Sequence, residues 1–465
     1  MGFSEQELRS IIQQTVESII GGNAGGGQDC LFDDMNDAIA AAKQAQTKLM
    51  MMSLEERGRL VEAIRAAAID NAEYLARMAN EETGYGRVED KIKKNILTAQ
   101  KTPGIEDLQT EAFSGDDGLT LVELAPYGVI GAVTPSTNPT STVVNNSMSM
   151  IAAGNAVVFC PHPSAKRCSQ EAMKIVNKAI IAAGGPANLI TGAKEPTIEN
   201  SNVVMTHPDI KMLAVTGGEG IVKVAMKSGK KAVCAGPGNP PVMVDETADI
   251  RKAGKDIVDG ASLDNNVMCF EEKECFAVAS ICDQLMEEMQ KNGAVRIYGD
   301  DIEKVKNTTL MQKDGKWVIN RKFVGRNAGY ILSAAGVSYV GDPRLVICEV
   351  DKDHPFIHTE MMMPVLGIVR VADFEECLAE AYRAERGCWH SAMIHSTNVV
   401  RLSKAAKVMG TTIFVKNGPS YAGIGLSGEG FSTLTIATPT GEGLTSARSF
   451  ARKRRCVLKG DFRIV

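Results

Sequence analysis

The sequence predicts an α/β protein built around two open sheets of Rossmann type, each in its own domain. Three observations lead there. From residue 129 onward, strand-like and helix-like segments alternate, the pattern of βαβ units and parallel sheets. The loops at 135–139, 160–164 and 216–219 follow predicted strands, and open α/β sheets bind ligands outside the carboxyl ends of their strands. The 465 residues suit about two or three domains, and 44% apolar with 23% charged residues is the balance of a soluble globular chain.

Bulk properties narrow the function classes. A net charge of −5 and a pI near 5.8 give no global attraction to nucleic acid or to an anionic membrane. No apolar run has the length needed to span a bilayer. The opening Met1-Gly2-Phe3-Ser4 lacks the basic and apolar regions of a secretory signal. The cysteine count, eleven, is odd, and Cys269, Cys275 and Cys282 match no zinc spacing. Neither a disulfide framework nor a metal site is expected, and the compartment is expected to be reducing. The 22 methionines read as core filler.

Taken in order, residues 4–20 read as a short amphipathic helix. Leu8, Ile12, Val16 and Ile19 form its stripe, Ile11 and Ile20 widen it, and Ser4 with Glu7 gives a capping-box pattern. The linker, 21–32, is glycine-rich and flexible by composition. A short helix on such a tether is marginal alone. It either docks into a partner's groove or folds back on its own body, and the sequence leaves both open.

From 35 to 82 the pattern is helical, with a second capping box at Ser53 and Glu56 and a stop at Gly84 and Gly86. Another helix spans about 90–100 and ends at Pro103-Gly104. Strands at 119–124 and 129–133 flank the turn Pro126-Tyr127-Gly128. A helix at 143–153, a strand at 156–159, a helix at 164–183 and a strand at 212–215 continue the alternation. A strand–loop–strand passage over 231–244 is followed by a helix at 249–262. Further strands are expected near 275–278, 345–350, 367–371, 392–394 and 413–416, and the tail 446–465 is strand-like. Its cluster Arg448, Arg452, Lys453, Arg454 and Arg455 reads as a solvated edge or subunit contact before it reads as a phosphate site, given the acidic whole. The stretch Gly423-Ile424-Gly425-Leu426-Ser427-Gly428 matches the dinucleotide fingerprint, but strand-like residues 431–437 follow where the mechanism requires a helix N-terminus. It is read as a glycine-rich loop.

The sharpest chemical candidate is Cys269. The stretch 260–273 brings a glycine, small residues and the amides Asn265 and Asn266 to a lone cysteine just before a predicted strand. Rigid scaffolds present reactive groups at such loops. The bland alternative is a buried, inert thiol.

Seven motifs in order change that balance. They are Val133-Thr134-Pro135-Ser136-Thr137-Asn138-Pro139, Phe159-Cys160-Pro161-His162-Pro163, Val215-Thr216-Gly217-Gly218, Ala235-Gly236-Pro237-Gly238-Asn239-Pro240-Pro241, Asp264-Asn265-Asn266-Val267-Met268-Cys269, His358-Thr359-Glu360-Met361-Met362-Met363-Pro364-Val365, and Val415-Lys416-Asn417-Gly418-Pro419. With them the chain resembles the aldehyde dehydrogenase superfamily from about residue 30 onward, and most of all the CoA-acylating acetaldehyde and propionaldehyde dehydrogenases of bacterial microcompartments. The resemblance implies Cys269 as the nucleophile and Asn138 as the oxyanion donor, and it implies that NAD and coenzyme A are used. It implies that Glu360 holds the nicotinamide ribose, and that Thr216, Gly217 and Gly218 meet the pyrophosphate at a helix N-terminus. Thr134, Pro135, Ser136, Cys160, His162 and Pro163 fall among the remaining cofactor-side positions. The implied division is a nucleotide-binding domain at 33–235 and a catalytic domain at 236–445. Strands at 119–125 and 446–465 are implied to join subunits into a homodimer or homotetramer. Residues 4–20 resemble the peptides that target relatives to a microcompartment shell or its cargo, which would place the chain in the cytoplasm within such a compartment.

Two departures inform the chemistry. Hydrolytic members carry a water-activating glutamate where this chain has Ala235, and without that base a thioester reacts slowly with water. A thiol such as CoA is the better nucleophile near neutral pH. Cys160 stands where many hydrolytic relatives have a ribose-binding lysine, and it is read as a packing residue. The expected reaction joins a short aldehyde, propionaldehyde before acetaldehyde, to CoA. A hydrolytic dehydrogenase making a free acid is the runner-up, and a non-catalytic scaffold with this fold is the remote third reading. Lys416 and Asn417 are expected to be structural, His358 is a candidate proton relay two residues from Glu360, and His354, His390 and His395 show no metal spacing.

Overall fold

The structure, a computed structural model, describes residues 30–465; the predicted helix at 4–20 and most of its tether lie outside the described residues. Two parallel sheets dominate. The first has six strands in the spatial order Leu31–Phe32, Ile190–Ala193, Ala156–Pro161, Val129–Thr134, Ile210–Thr216 and Lys231–Ala235. All of its pairings are parallel. Helices cover its faces, so strands such as Ala156–Pro161 are buried along their whole length and read as apolar runs rather than alternations. The chain lays down Val129–Thr134, builds outward through Ala156–Pro161 and Ile190–Ala193, then returns to place Ile210–Thr216 on the other flank. The winding reverses between Val129–Thr134 and Ile210–Thr216, which opens a crevice at their carboxyl ends.

The second sheet has seven parallel strands: Ala294–Arg296, Leu345–Glu349, Val365–Val371, Glu274–Val278, Pro241–Val244, Ser391–His395 and Ile413–Lys416. Each sheet has its own apolar core. One draws on residues up to Cys234, joined from the far end of the chain by Ala437, Ala447 and Phe450. The other runs from Val242 to Ile436, joined by Leu97.

Local chemistry sets the element boundaries. Ser53 and Glu56 form the expected capping box: Glu56 N–H donates to Ser53 Oγ (3.2 Å) and Ser53 N–H donates to Glu56 Oε2 (2.7 Å). Asp249 caps Ile250–Ser262, the helix that delivers the cysteine loop. A third, antiparallel sheet pairs Glu111–Gly115 with Gly118–Pro126 and the latter with Ala451–Lys459. The tail is therefore strand only in part: Ala447–Phe450 is a 3₁₀ turn, and 461–465 has no regular structure. Arg448 and Lys453 pair with Asp107 and Glu111, which occupies two members of the basic cluster. Strand is likewise confined to Ile436–Ala437 within 431–437. A hairpin, Leu310–Lys313 with Lys316–Ile319, was not anticipated. Its signal is Asp314-Gly315, both at positive φ (51° and 73°), the requirement of a two-residue type I′ turn.

Candidate active site

Cys269 lies half-buried at the end of a strained passage. After Ile250–Ser262 the chain enters the 3₁₀ turn Leu263–Asn266, where Asp264, Asn265 and Asn266 all have positive φ (45°, 56° and 60°). For L-residues this region costs roughly 1–2 kcal/mol each, and Asn and Asp tolerate it best because their short side chains bond locally. Polar contacts hold all three. Asp264 Oδ1 accepts from Arg87 N–H (2.8 Å), and Asp264 Oδ2 accepts from Lys91 (3.0 Å) and Lys94 (2.7 Å). Asn265 accepts from Arg87 Nε and donates to Gly325 O and Asn327 Oδ1. Asn266 Nδ2 donates to Ala261 O and Glu272 O. Gly86 makes room for this arrangement: a Cβ there would stand 1.8 Å from Asp264 Oδ1.

The charged run after the cysteine is fully buried. Glu271, Glu272, Lys273 and Glu274 each have 0% exposure, where such residues are rarely found without partners. Glu271 Oε2 accepts from Met268 N–H, and Glu272 accepts from the backbone and hydroxyl of Ser420. Lys273 Nζ donates to Met268 O (2.9 Å), Asn266 O (3.0 Å) and Asn266 Oδ1. Burial raises Glu272 to about 7 and lifts Glu271 and Glu274 well above the carboxylate range. The run is an internal brace for the Cys269 loop.

Four groups converge from the amino ends of four adjacent strands. Glu360 precedes Val365–Val371, Cys269 precedes Glu274–Val278, Gly238 precedes Pro241–Val244, and His390 immediately precedes Ser391–His395. Gly238 N–H reaches Glu360 Oε1 at 3.4 Å. A Cβ on Gly238 would meet the Cys269 carbonyl at 2.6 Å and the His390 ring at 2.9 Å, so the glycine is what lets loop, backbone and imidazole close together. Burial, and then the Glu360 charge, push the Cys269 thiol up to about 12, with Lys273 pulling the other way. Burial and Lys273 push His390 down to about 3, so its imidazole is neutral. Its Nδ1 lies 2.9 Å from Ser391 Oγ, and its buried Nε2 has no partner among the described residues.

Asn138 enters from the first sheet, in the loop after Val129–Thr134, as the residue before Pro139–Ala152. Its Oδ1 accepts from Lys94 Nζ at 2.6 Å, and its Nδ2 makes only a long 3.4 Å contact with Thr137 Oγ1. On the same sheet edge stand the cofactor-side positions. Thr216 and Gly217 lead from Ile210–Thr216 to Gly218, which starts the helix Glu219–Lys227 with its backbone exposed. Across the switch point, Thr134 Oγ1 is buried without a partner among the described residues, with Pro135 and Ser136 beyond it. An exposed helix start and an orphaned buried hydroxyl at the strand ends fit a dinucleotide phosphate and its sugar. Cys160 is buried at the end of Ala156–Pro161 and its thiol is raised by burial, as a packing residue. His162 is exposed and accepts from Ser164 N–H, closing the turn that carries Pro163.

The aldehyde dehydrogenase family profile matches residues 14–432. The chain belongs to the aldehyde dehydrogenase family. The acetaldehyde dehydrogenase (acetylating) EutE of Salmonella typhimurium is 49% identical over 438 residues, 94% of this chain and 93% of that one. The propanal dehydrogenase (CoA-propanoylating) of the same organism is 47% identical, covering 93% of each chain. Among solved structures, the propionaldehyde dehydrogenase of Rhodopseudomonas palustris with bound CoA and an acylated cysteine superposes with a TM-score of 0.92. It is 49% identical, over 94% of this chain and 100% of that one. A propionaldehyde dehydrogenase from the Clostridium phytofermentans fucose utilisation bacterial microcompartment gives the same figures.

Within this aldehyde dehydrogenase the structure brings Cys269, Glu360 and Gly238 together and sets Asn138 against Lys94. It leaves His162 at the surface. Sequence reasoning missed Arg87, Lys91, Lys94, Lys273 and His390. Lys91 and Lys94 follow helical spacing, but paired lysines on a helix resemble a solvated face. His390 offered only its identity. Asn417 is structural, exchanging hydrogen bonds with the backbone of Ser396, and His358 is tied to Lys352 O. The fingerprint-like glycine loop offers carbonyls, not amides: Gly425 O and Gly428 O accept from Lys101 Nζ.

Proposed function

We propose that this chain is a CoA-acylating aldehyde dehydrogenase that converts a short aldehyde, propionaldehyde before acetaldehyde, into its acyl-CoA through a thioester on Cys269. The observation that carries the reading is Ala235. It is 2% exposed at the end of Lys231–Ala235, and its methyl supplies no base for water at the position where hydrolytic relatives have one. Cys269 Sγ, as thiolate, bonds to the aldehyde carbon, and Asn138 Nδ2 donates to the oxygen that becomes negative. NAD, when bound, is the hydride acceptor, with Glu360 on its nicotinamide ribose, Thr216 to Gly218 at its phosphates and Thr134 to Ser136 alongside. Loss of hydride from the carbon leaves the thioester. The CoA thiol, a few per cent of it ionised near neutral pH, then attacks that thioester as thiolate. Cys269 leaves as thiolate and acyl-CoA is released.

The sheet formed by Gly118–Pro126 and Ala451–Lys459 ends in a long exposed edge strand. It supports a homodimer or homotetramer joined there, because an uncovered edge invites pairing with a second copy. The amphipathic pattern of residues 4–20 supports docking to a microcompartment shell or cargo protein. The deciding experiment follows NADH formation from propionaldehyde with and without CoA. Formation is expected to require CoA beyond a single turnover, and equal steady rates without it would establish the hydrolytic runner-up.

A further inference from the structure

Two buried lysines share one buried carboxylate beside the site. Lys91 is 2% exposed, Lys94 5% and Asp264 0%. Burial pushes the Lys91 ammonium down to about 8 against the pull of Asp264, and Asp264 stays below the usual carboxylate range through both lysines. As a stability device this is poor, because desolvating such ions costs about what their attraction returns. The geometry gives it another use. Lys94 Nζ sits 2.7 Å from Asp264 Oδ2 and 2.6 Å from Asn138 Oδ1. It therefore bridges the first sheet's Asn-Pro loop and the strained loop that ends in Cys269.

We propose that Lys94 is the positioning residue of the oxyanion hole, fixing the orientation and donor strength of the Asn138 amide and its register with the Cys269 loop. The proposal rests on the reading of Cys269 and Asn138 given above. An ammonium has three donors and no acceptor, so only Oδ1 can face it and the amide cannot flip. Nδ2 is then turned away from Lys94, and its 3.4 Å contact with Thr137 Oγ1 is too long to be a strong bond. A hydrogen is left to aim at a developing oxyanion. Charge-assisted bonding at Oδ1 also polarises the amide and makes its N–H a better donor, an effect enlarged where water is excluded. Through Asp264 the same ammonium holds the nucleophile loop. Donor and nucleophile are thereby set before the aldehyde arrives, the preorganisation that makes such donors effective.

The test compares Asn138→Ala, Lys94→Met, Lys94→Gln and the Asn138→Ala/Lys94→Met double variant, reading kcat, aldehyde KM and melting temperature. Lys91 still pairs with Asp264 in Lys94→Met, so the carboxylate is not orphaned. Lys94→Met is expected to lower kcat by about 10–100-fold with aldehyde KM within about threefold, approaching the roughly 10²–10³-fold loss from deleting an oxyanion donor. Lys94→Gln retains an N–H for Oδ1 and is expected to recover part of the loss. The double variant is expected to be no worse than Asn138→Ala alone, since the two residues act as one unit. A kcat within about threefold of the parent in Lys94→Met, or full additivity in the double variant, overturns the proposal. If Lys94→Met does not fold, the same cycle is run with Lys94→Gln, and additivity there overturns it equally. An Asn138→Ala variant with the parent's kcat sinks the reading of Asn138 itself, which is a different failure.

Discussion

Replacing Glu360 by glutamine tests whether a carboxylate controls the nucleophile. The Cys269 thiol stands at about 12 against an ordinary 9.0, with burial the first cause and Glu360 the second. At pH 8 a thiol at about 12 is ionised to only about one part in 10⁴, and each pH unit changes that fraction about tenfold. Glu360→Gln removes the second cause of the rise and so increases the thiolate fraction, each tenfold gain being equivalent to about 1.4 kcal/mol. The assay is iodoacetamide alkylation of the Cys269 peptide between pH 7 and 9, read by mass spectrometry, with a small free thiol in the same mixture as reference. The parent rate should climb about tenfold per pH unit, and the variant should run parallel to it and above it. Burial raises the Glu360 carboxyl itself. At lower pH it therefore gains a proton, loses its charge, and the two lines converge. Superimposed lines across the range, or slower alkylation in Glu360→Gln, refute the argument. The same reasoning predicts faster alkylation once a ribose hydroxyl donates to Glu360, which would couple cofactor binding to thiol activation.

Glu272 makes the pH dependence of stability testable. Its folded value, about 7, lies above an unfolded value near 4.5, so the folded chain holds the extra proton between them. That contribution is complete below about pH 4.5, is lost as pH rises through 7, and amounts to about 3 kcal/mol at 1.36 kcal/mol per unit. Glu272→Gln should flatten the urea-denaturation profile over this window, and an unchanged slope would reject the assignment. Deleting residues 1–25 should leave kcat unaltered and release the protein from co-purifying shell. Lost activity would mean instead that the segment belongs to the folded body.

The alternation of strands and helices, the capping box at Ser53 and the loops at the switch point were legible because each follows from local rules of periodicity and backbone chemistry. The positive-φ triplet was half legible: Asp264, Asn265 and Asn266 are the residue types that tolerate αL, yet nothing local says that three in a row adopt it. The buried run Glu271 to Glu274 was not legible. Its burial is set by Ser420, by carbonyls of its own loop and by the central position of its strand, all of them tertiary. The same limit hid Lys94 and His390, whose roles exist only once distant loops meet.

The two sheets also obey different rules at the site. The first offers the carboxyl ends of its strands, as open α/β sheets do, while the second presents Glu360, Cys269, Gly238 and His390 from amino ends. A site between a carboxyl edge and an amino edge draws Thr134, Asn138 and Gly218 from one sheet and Cys269 from the other. Its geometry then depends on whatever fixes those domains together. The contacts of Lys94 with Asn138 on one side and Asp264 on the other supply such a tie at the reacting centre. A chain that kept Cys269 and Asn138 but lost this bridge would keep the motifs and lose their alignment. Arg87 and Lys91, which reach the same loop from the same helical segment, would be expected to fail in the same direction as Lys94, and more mildly, because neither touches the Asn138 amide.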